Sequence, residues 1–394
     1  MMLSQRISSV GPSATIAITA RAKQMQADGI DVISFGAGEP DFDTPDFIKE
    51  AAIAALRDGD TKYTPRRARA LKEAIARKLA TENGLEYGLD QIVVTFGSKH
   101  ALHSACQVLL EPGDKALIPA PYWNSYPEMV KLAAGVPVIL PTRRQDSFKI
   151  SPQQVLDAGG GAKILILCSP SNPTSITYTP EELGAIAQAV LQTDLIVFSD
   201  ECYEKLIYGQ TKFVSFATLD PRLPERTVTF NSLSKPFAMT GWRLGWLAGP
   251  KDLADAVSRL ISHQTTNPVS FVQAAAVAAY SDPRSRHALQ EMRLEFEKRA
   301  RHMAERLNAM EGVFCVEPTG AFYCFPDVSA HYGRTLGRVE VTDSLSFAKA
   351  ALESVKVALV PGAAFGEDAC VRLCFATGMQ QIDEGLDRLE KLLA

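Results

Sequence analysis

Short apolar runs alternate with amphipathic stretches through the first three quarters of the chain. Runs bounded by turn residues predict buried strands at 92–96, 116–119, 164–167, 195–198 and 227–230. Between two of these runs, Thr179-Pro180-Glu181-Glu182 is a capping box that begins a helix with apolar positions at helical spacing. Buried strands joined by helices predict an α/β fold with a mostly parallel sheet.

The pattern changes after about residue 284. A long charged amphipathic helix follows, then short apolar runs at 321–325, 357–360 and 371–375, and a final amphipathic helix. These elements predict a second, smaller α+β unit. The first 45 residues are too irregular to form a domain alone and should pack on something else. With the motif positions given below, we expect a large domain at 46–284 and a small one from 1–45 plus 285–394.

Composition narrows the function classes. The 394 residues include 41 Lys+Arg and 45 Asp+Glu, for a net charge of −4, and 46% are hydrophobic. These values exclude a disordered chain and a fibre, and the balanced charge argues against nucleic acid as a partner. We expect neither export nor a membrane anchor, because no apolar leader or span is visible. The seven scattered cysteines are typical of reduced thiols in a cytoplasmic protein.

Polar residues follow three of the predicted strands. Asn172 follows the run at 164–167, Asp200 the run at 195–198, and Lys235 the run at 227–230. The carboxyl ends of parallel strands form one sheet edge, which is where α/β folds bind ligands. An Asp at the end of a buried strand needs a cation or a hydrogen bond, and the roles of helix cap and catalyst stay equally open on position alone.

The lysine at this edge has three interpretations. Ser232-x-x-Lys235 matches the tetrad of penicillin-binding enzymes, but neither S-D-N nor K-T-G occurs in the chain. A lysine with nearby hydroxyls also suits covalent anchoring of a phosphate-bearing aldehyde, pyridoxal phosphate. A surface lysine in a loop is the third.

Two other patterns carry no cofactor prediction. Gly36-Ala-Gly38 fails the dinucleotide pattern G-x-G-x-x-G, and Pro40 and Pro45 prevent a helix from following at once, so we discard a nicotinamide site. His100 and His103 lack a third ligand at a recognisable spacing, which favours a structural role over metal binding.

A series of longer motifs runs in order along essentially the whole chain: ISFGAGEPDFDTP, KYTP, PAPYWNSYPEM, CSPSNPT, FSDECYE, NSLSKPFAMTGWRLGW, GAFYCFP and VPGAAFG with VRLCFAT. This set resembles the class I, fold-type I pyridoxal phosphate aminotransferases, and within them the branch of aspartate and aspartate/prephenate aminotransferases. The resemblance implies a large domain, with a mostly parallel sheet flanked by helices, and a smaller α+β domain.

The resemblance assigns cofactor roles to five residues at the ring. Lys235 would anchor pyridoxal 5'-phosphate and then move the substrate's proton, and Asp200 would keep the pyridine nitrogen protonated. Asn172 and Tyr203 would hydrogen-bond the phenolic oxygen, and Trp123 would stack on the ring.

Further residues would bind the phosphate group. The resemblance implies the backbone amides of Gly97, Ser98 and Lys99 at a helix start, with Ser232, Ser234 and Arg243. Tyr63 would reach the phosphate in the neighbouring subunit, which implies a homodimer.

The same resemblance outlines the substrate site. Arg372 would bind the α-carboxylate as a bidentate clamp opposite the backbone of Gly38, and Lys99 would face the distal carboxylate of a dicarboxylic substrate. Thr15 would line this pocket from the N-terminal segment. Trp123 and Asn172 would contact the substrate as well as the cofactor.

These roles imply a ping-pong aminotransferase that converts L-aspartate and 2-oxoglutarate to oxaloacetate and L-glutamate. The alternatives are prephenate transamination as main or second activity, a carbon–sulfur β-lyase, which Lys99 argues against, and a non-catalytic pyridoxal phosphate-binding module.

Two departures from the family pattern stand out. Ser175 replaces the usual glycine of N-P-T-G, which predicts an altered turn. After Pro65, a loop reading Arg66-Arg67-Ala68-Arg69 replaces a small, glycine-containing stretch, and we expect it to alter substrate preference or reduce activity.

Overall fold

The computed structural model describes residues 4–63 and 65–394. Its strands are β1 (Ile33–Ser34), β2 (Ile92–Thr95), β3 (Lys115–Pro119), β4 (Val136–Leu140), β5 (Ala162–Cys168), β6 (Ile196–Asp200), β7 (Thr227–Ser232), β8 (Gly245–Ala248), β9 (Tyr323–Cys324), β10 (Thr335–Leu336), β11 (Val339–Glu340), β12 (Val357–Ala358), β13 (Val360–Pro361) and β14 (Val371–Cys374).

The α-helices follow the same chain order. They are α1 (Gln5–Ser8), α2 (Ala14–Ala27), α3 (Asp46–Arg57), α4 (Pro65–Lys78), α5 (Ser98–Leu109), α6 (Ser125–Leu132), α7 (Pro152–Gly159), α8 (Pro180–Val190), α9 (Lys251–Gln264), α10 (Ser270–Ser281), α11 (Arg284–Asn308), α12 (Ser344–Val355) and α13 (Met379–Leu393).

A seven-stranded sheet with the order β2-β8-β7-β6-β5-β3-β4 forms the centre of the molecule. Within this sheet only β8 runs antiparallel to its neighbours. The register pairs Cys168 with Asp200 and Asp200 with Phe230, so the ends of β5, β6 and β7 lie side by side. The predicted α/β class is therefore confirmed.

The sequence signals explain these elements locally. The residues of β2, β7 and β8 are buried along their whole length, as apolar runs covered on both faces require. Helix α8 begins at the predicted capping box, where the Thr179 hydroxyl accepts from the Glu182 amide at 3.2 Å and the Glu182 carboxylate accepts from the Thr179 amide at 2.7 Å.

The C-terminal part builds its own core. Strands β13, β14 and β9 form an antiparallel sheet, and α11, α12 and α13 supply buried residues to the cluster that contains Phe296 and Phe375. The N-terminal segment joins this part, because β1 pairs in parallel with β12 through Ile33 and Val357. The domain limits at 46–284 and 285–394 stay a prediction.

One predicted loop is a helix instead. Arg66 to Arg69 lie in the first turns of α4, which begins at Pro65, a residue whose fixed φ suits a helix start. The side chains of Arg66 and Arg67 lie outside the described residues, and Arg69 pairs with Glu73 at 3.0 Å on the exposed surface. The expected effect of this stretch on substrate preference stays a prediction.

All seven cysteines are free thiols. Over residues 4–63 and 65–394, no helix combines the length and the apolar character needed to cross a bilayer.

Candidate active site

A cavity of about 560 Å³ opens where β5, β6 and β7 end, between the sheet edge and the C-terminal part. Most of the predicted site residues line it: Thr15, Gly38, Ser98, Lys99, Trp123, Asn172, Asp200, Tyr203, Ser232, Ser234, Lys235, Arg243 and Arg372. Gly97 immediately precedes this lining at the start of α5. Tyr63 does not line the cavity and is 80% exposed.

Lys235 places a primary amine inside this cavity. Its Nζ donates a hydrogen bond to the carbonyl oxygen of Gly38 and lies 5.5 Å from the ring centre of Phe322. Burial lowers the pKa of Lys235 to about 8, and the charge of Arg372 adds to this effect. The amine therefore loses its proton at a lower pH than an ordinary lysine, which favours its use as a nucleophile or a base.

Asp200 ends β6, and its buried carboxyl group accepts two hydrogen bonds. The Tyr126 hydroxyl donates to Oδ2 at 2.7 Å, and the Cys202 amide donates to Oδ1 at 3.2 Å. Burial raises the pKa of Asp200, whereas these donors and the charge of Lys235 oppose the rise. The carboxyl group is thus held at a fixed place on the cavity wall.

The start of α5 supplies an anion-binding corner. Gly97 has φ +81°, and a Cβ added there would lie 2.8 Å from Nη2 of Arg243, so only glycine allows this approach. Arg243 also donates from Nη1 to the Thr240 carbonyl at 2.9 Å. With the α5 amides, Ser98 and Ser232, these groups combine a helix N-terminus, a cation and hydroxyls.

Arg372 on β14 is the largest cation buried at the site. It is 2% exposed, and it donates from Nη1 to Asn172 Oδ1 at 3.0 Å and from Nη2 to the Gly36 carbonyl at 2.9 Å. Its guanidinium lies 4.5 Å from the ring centre of Tyr323. Its Nε finds no hydrogen-bond partner in the described part of the chain. A buried guanidinium with spare donor capacity suits a carboxylate ligand.

Lys99 in the first turn of α5 brings another cation to the cavity. Its Nζ lies 4.8 Å from the ring centre of Trp123, which in turn meets Tyr126 edge to face at 5.3 Å. Burial lowers the pKa of Lys99, and the charge of Arg243 lowers it further. Thr15 on α2 accepts from the Asn124 side chain at 3.4 Å and so joins the N-terminal helix to this part of the cavity.

Some lining residues were not predicted from the sequence. Tyr126 supports Asp200, Cys168 and Cys202 line the cavity beside it, and Tyr323 joins Tyr203 through their hydroxyls at 2.9 Å. Tyr126 could have been found, because it follows Trp123 by three residues within PAPYWNSYPEM. Tyr323 gave no such signal, since its place depends on the pairing of β9 with β14.

Ser175 adopts the backbone conformation for which glycine is usual. Its φ is +57°, it is fully buried, and its hydroxyl accepts from the backbone amide of Tyr323 at 2.8 Å. The turn keeps a left-handed geometry despite the side chain.

Comparisons with known proteins identify the family of the chain. A profile of the family "Aminotransferase class I and II" matches residues 30–389. The aspartate aminotransferase of Geobacillus stearothermophilus is 47% identical, with 100% of this chain and 99% of the relative covered. The "probable aspartate/prephenate aminotransferase" of Aquifex aeolicus is 43% identical, with 99% and 98% covered.

A solved structure has the same fold over the full length. The aspartate aminotransferase of Thermus thermophilus with maleate superposes with a TM-score of 0.93 at 38% identity, and all of both chains is covered. The chain belongs to the class I and II aminotransferase family, as its motifs predicted.

Proposed function

We propose that this protein is a pyridoxal phosphate-dependent aminotransferase that transfers the amino group of L-aspartate to 2-oxoglutarate. One observation carries the proposal: a half-buried lysine with a lowered pKa, a buried aspartate and a buried arginine share one cavity. Lys235 lies in the loop after β7, Asp200 on β6 and Arg372 on β14. The relatives named for aspartate support the choice of donor.

The donor set of the cavity fits pyridoxal phosphate. Lys235 offers an amine to an aldehyde, Asp200 an acidic group to a pyridine nitrogen, and the corner of Gly97 and Arg243 a site for a phosphate. Asn172 and Tyr203 would hold the phenolic oxygen, and Trp123 the ring face. When bound, the cofactor supplies a ring that accepts the electron pair released at the substrate's Cα.

Side chains of the protein would transfer the substrate proton and stabilise the charge on the cofactor ring. The Lys235 Nζ, once free, would act first as the base that removes the proton from the substrate Cα and then as the acid that gives the proton back. The Asp200 carboxylate, fixed by Tyr126 and the Cys202 amide, would keep a proton on the pyridine nitrogen.

Two cations select a dicarboxylic substrate. Arg372 has an unpaired Nε among the described residues and would bind the α-carboxylate, with the Gly38 backbone beside it. Lys99, which lines the cavity next to Trp123, would bind the distal carboxylate, and Thr15 would line the same part of the pocket. An amino acid with an apolar side chain would leave the Lys99 ammonium unpaired.

Prephenate transamination is the second candidate. Prephenate also carries two carboxylates, and the Aquifex aeolicus relative is named for both substrates. Comparing kcat/KM for prephenate and oxaloacetate as amino acceptors decides whether this is the main activity or a second one.

We also propose a homodimer in which Tyr63 of one subunit completes the phosphate site of the other. A tyrosine that is 80% exposed near the start of α4 is available for such a contact. Sedimentation of the purified protein should give twice the mass of the chain.

The direct test is turnover by wild-type protein and a Lys235→Ala variant, measured as oxaloacetate formed from aspartate and 2-oxoglutarate. We expect the wild type to be active and the variant to lose at least about 10³-fold in kcat and the absorbance of covalently held cofactor. A Lys349→Ala variant, which changes an exposed lysine on α12, is the matched control and should keep wild-type rates. Equal activity of Lys235→Ala and wild type contradicts the proposal.

A further inference from the structure

Ser175 connects the turn after Asn172 to the strand that supports the substrate site. Its hydroxyl is an acceptor for the backbone amide of Tyr323, the first residue of β9, at 2.8 Å. Its carbonyl oxygen accepts from the amides of Thr319 and Gly320 at 2.9 and 3.0 Å. The turn and the segment that leads into β9 are therefore joined by main-chain bonds, and the Ser175 side chain adds the bond at β9 itself.

Tyr323 contacts groups on both sides of the expected α-carboxylate site. Its ring lies 4.5 Å from the Arg372 guanidinium, and its hydroxyl bonds that of Tyr203 at 2.9 Å. A Cβ added to Gly38 would lie 2.9 Å from the same hydroxyl. The position of Tyr323 thus sets the space between Arg372 and the Gly38 backbone.

The bond of Ser175 comes with a conformational cost. A residue with a Cβ is disfavoured at φ +57°, and glycine would adopt this turn without strain. Glycine could not, however, accept the Tyr323 amide. A side chain that occupies an unfavourable backbone position and is fully buried and hydrogen-bonded points to a use for its hydroxyl.

We propose that Ser175 is a positioning residue for substrate carboxylate binding. Its hydroxyl fixes β9, so that Tyr323 holds the Arg372 guanidinium in the orientation that accepts a carboxylate. This role rests on the proposed function, because it assumes that Arg372 binds the α-carboxylate of the substrate. Ser175 itself does not line the cavity.

The test uses two variants of the holoenzyme and a ligand that does not turn over. Ser175→Gly removes the hydroxyl together with the strain, and Ser175→Ala removes the hydroxyl and keeps the strain. Both leave the two main-chain bonds to Thr319 and Gly320 in place. Calorimetric titration with maleate should give a Kd raised about fivefold or more in both variants, because a buried amide has lost its acceptor. The KM for aspartate should rise in parallel, whereas kcat changes less than about twofold.

Thr177→Val is the matched control in the same turn. Its hydroxyl donates to the Thr319 carbonyl at 3.3 Å, and that carbonyl also accepts from the Tyr208 amide at 3.1 Å. We expect maleate and aspartate binding to stay at wild-type values. Cofactor affinity, measured by titration of the apoprotein with pyridoxal phosphate, should be unchanged in all three variants.

The outcomes separate this role from a general packing role and from the proposed function. An unchanged maleate Kd in Ser175→Gly overturns the positioning role, and so does an equal weakening of maleate and cofactor. A rise confined to Ser175→Ala assigns the effect to backbone strain and also overturns it. If the wild type binds maleate but does not transaminate aspartate, the proposed function fails, while the maleate data still decide the role of Ser175.

Discussion

The two walls of the cavity differ in how their charged groups are held. On the sheet edge, Asp200 ends β6 and Lys235 follows the neighbouring strand β7, and the Asp200 carboxyl group accepts from the nearby Cys202 amide and from the Tyr126 hydroxyl on α6. On the other wall, Arg372 is bonded by Asn172 and Gly36, which lie 200 and 336 residues away. The groups expected to perform the chemistry thus lie at the ends of parallel strands, whereas the group expected to bind the substrate carboxylate is held between segments that are distant in sequence.

This difference predicts which kinetic constant each wall controls. Groups on the sheet edge should act on kcat, because they stabilise charge that develops in the reaction. Groups on the opposite wall should act on KM and on substrate choice. Variants of each wall can confirm or contradict this division.

The largest effect after loss of Lys235 is expected at Asp200. Asp200→Asn keeps the shape but removes the charge that would hold a proton on the pyridine nitrogen, so kcat should fall about 10²- to 10³-fold. Tyr126→Phe, which removes one donor to Asp200, should cost about tenfold. Single-turnover rates with aspartate measure both, and equal losses in the two variants would contradict the role of the carboxylate.

Arg372→Lys should have the next largest effect. Lysine keeps the charge but cannot reproduce the planar pair of donors, so kcat/KM for aspartate should fall about 100-fold, mostly through KM. Steady-state kinetics with the holoenzyme test this. A fall in kcat alone, with KM unchanged, would contradict the expectation that Arg372 controls KM.

Lys99→Met tests selection of the distal carboxylate. Of the substrate's groups, the Lys99 ammonium is expected to contact only this carboxylate, so kcat/KM should fall about tenfold or more for aspartate and stay nearly unchanged for alanine. Lys99→Arg, which keeps the charge, is the matched control and should retain the preference for aspartate. The prediction fails if aspartate and alanine lose activity equally in Lys99→Met.

The smallest effect concerns pH. Only the neutral Lys235 amine can attack an aldehyde, and its pKa is lowered to about 8, so the rate of cofactor loading should rise as pH rises through about 8. Stopped-flow absorbance after mixing apoprotein with pyridoxal phosphate measures this rate. A rate that keeps rising to about pH 10, the usual range of lysine, would contradict the effect of burial.

The sequence predicted the sheet-edge wall more fully than the other. Asp200, Lys235 and Ser232 each follow an apolar run, so the rule that ligands bind at the carboxyl ends of parallel strands placed them together. Arg372 was predicted only through the resemblance, because nothing in VRLCFAT indicates that Asn172 and Gly36 meet it. Tyr323 was missed for the same reason.

Two predictions of local backbone conformation were also wrong. The run Arg66-Arg67-Ala68-Arg69 was expected to form a loop and lies in α4, because alanine and arginine favour helix once Pro65 begins it. Ser175 was expected to alter its turn, yet it adopts the left-handed φ that glycine would have. Its contact with Tyr323 offsets part of that cost and could not be read from the sequence.

Initial-rate kinetics with aspartate and 2-oxoglutarate varied together test the central claim most directly. If one cavity alternately binds the amino donor and the amino acceptor at Arg372 and Lys99, double-reciprocal plots should be parallel. Oxaloacetate and glutamate should also appear in equal amounts. Intersecting lines, or turnover of aspartate that yields no glutamate, would contradict it.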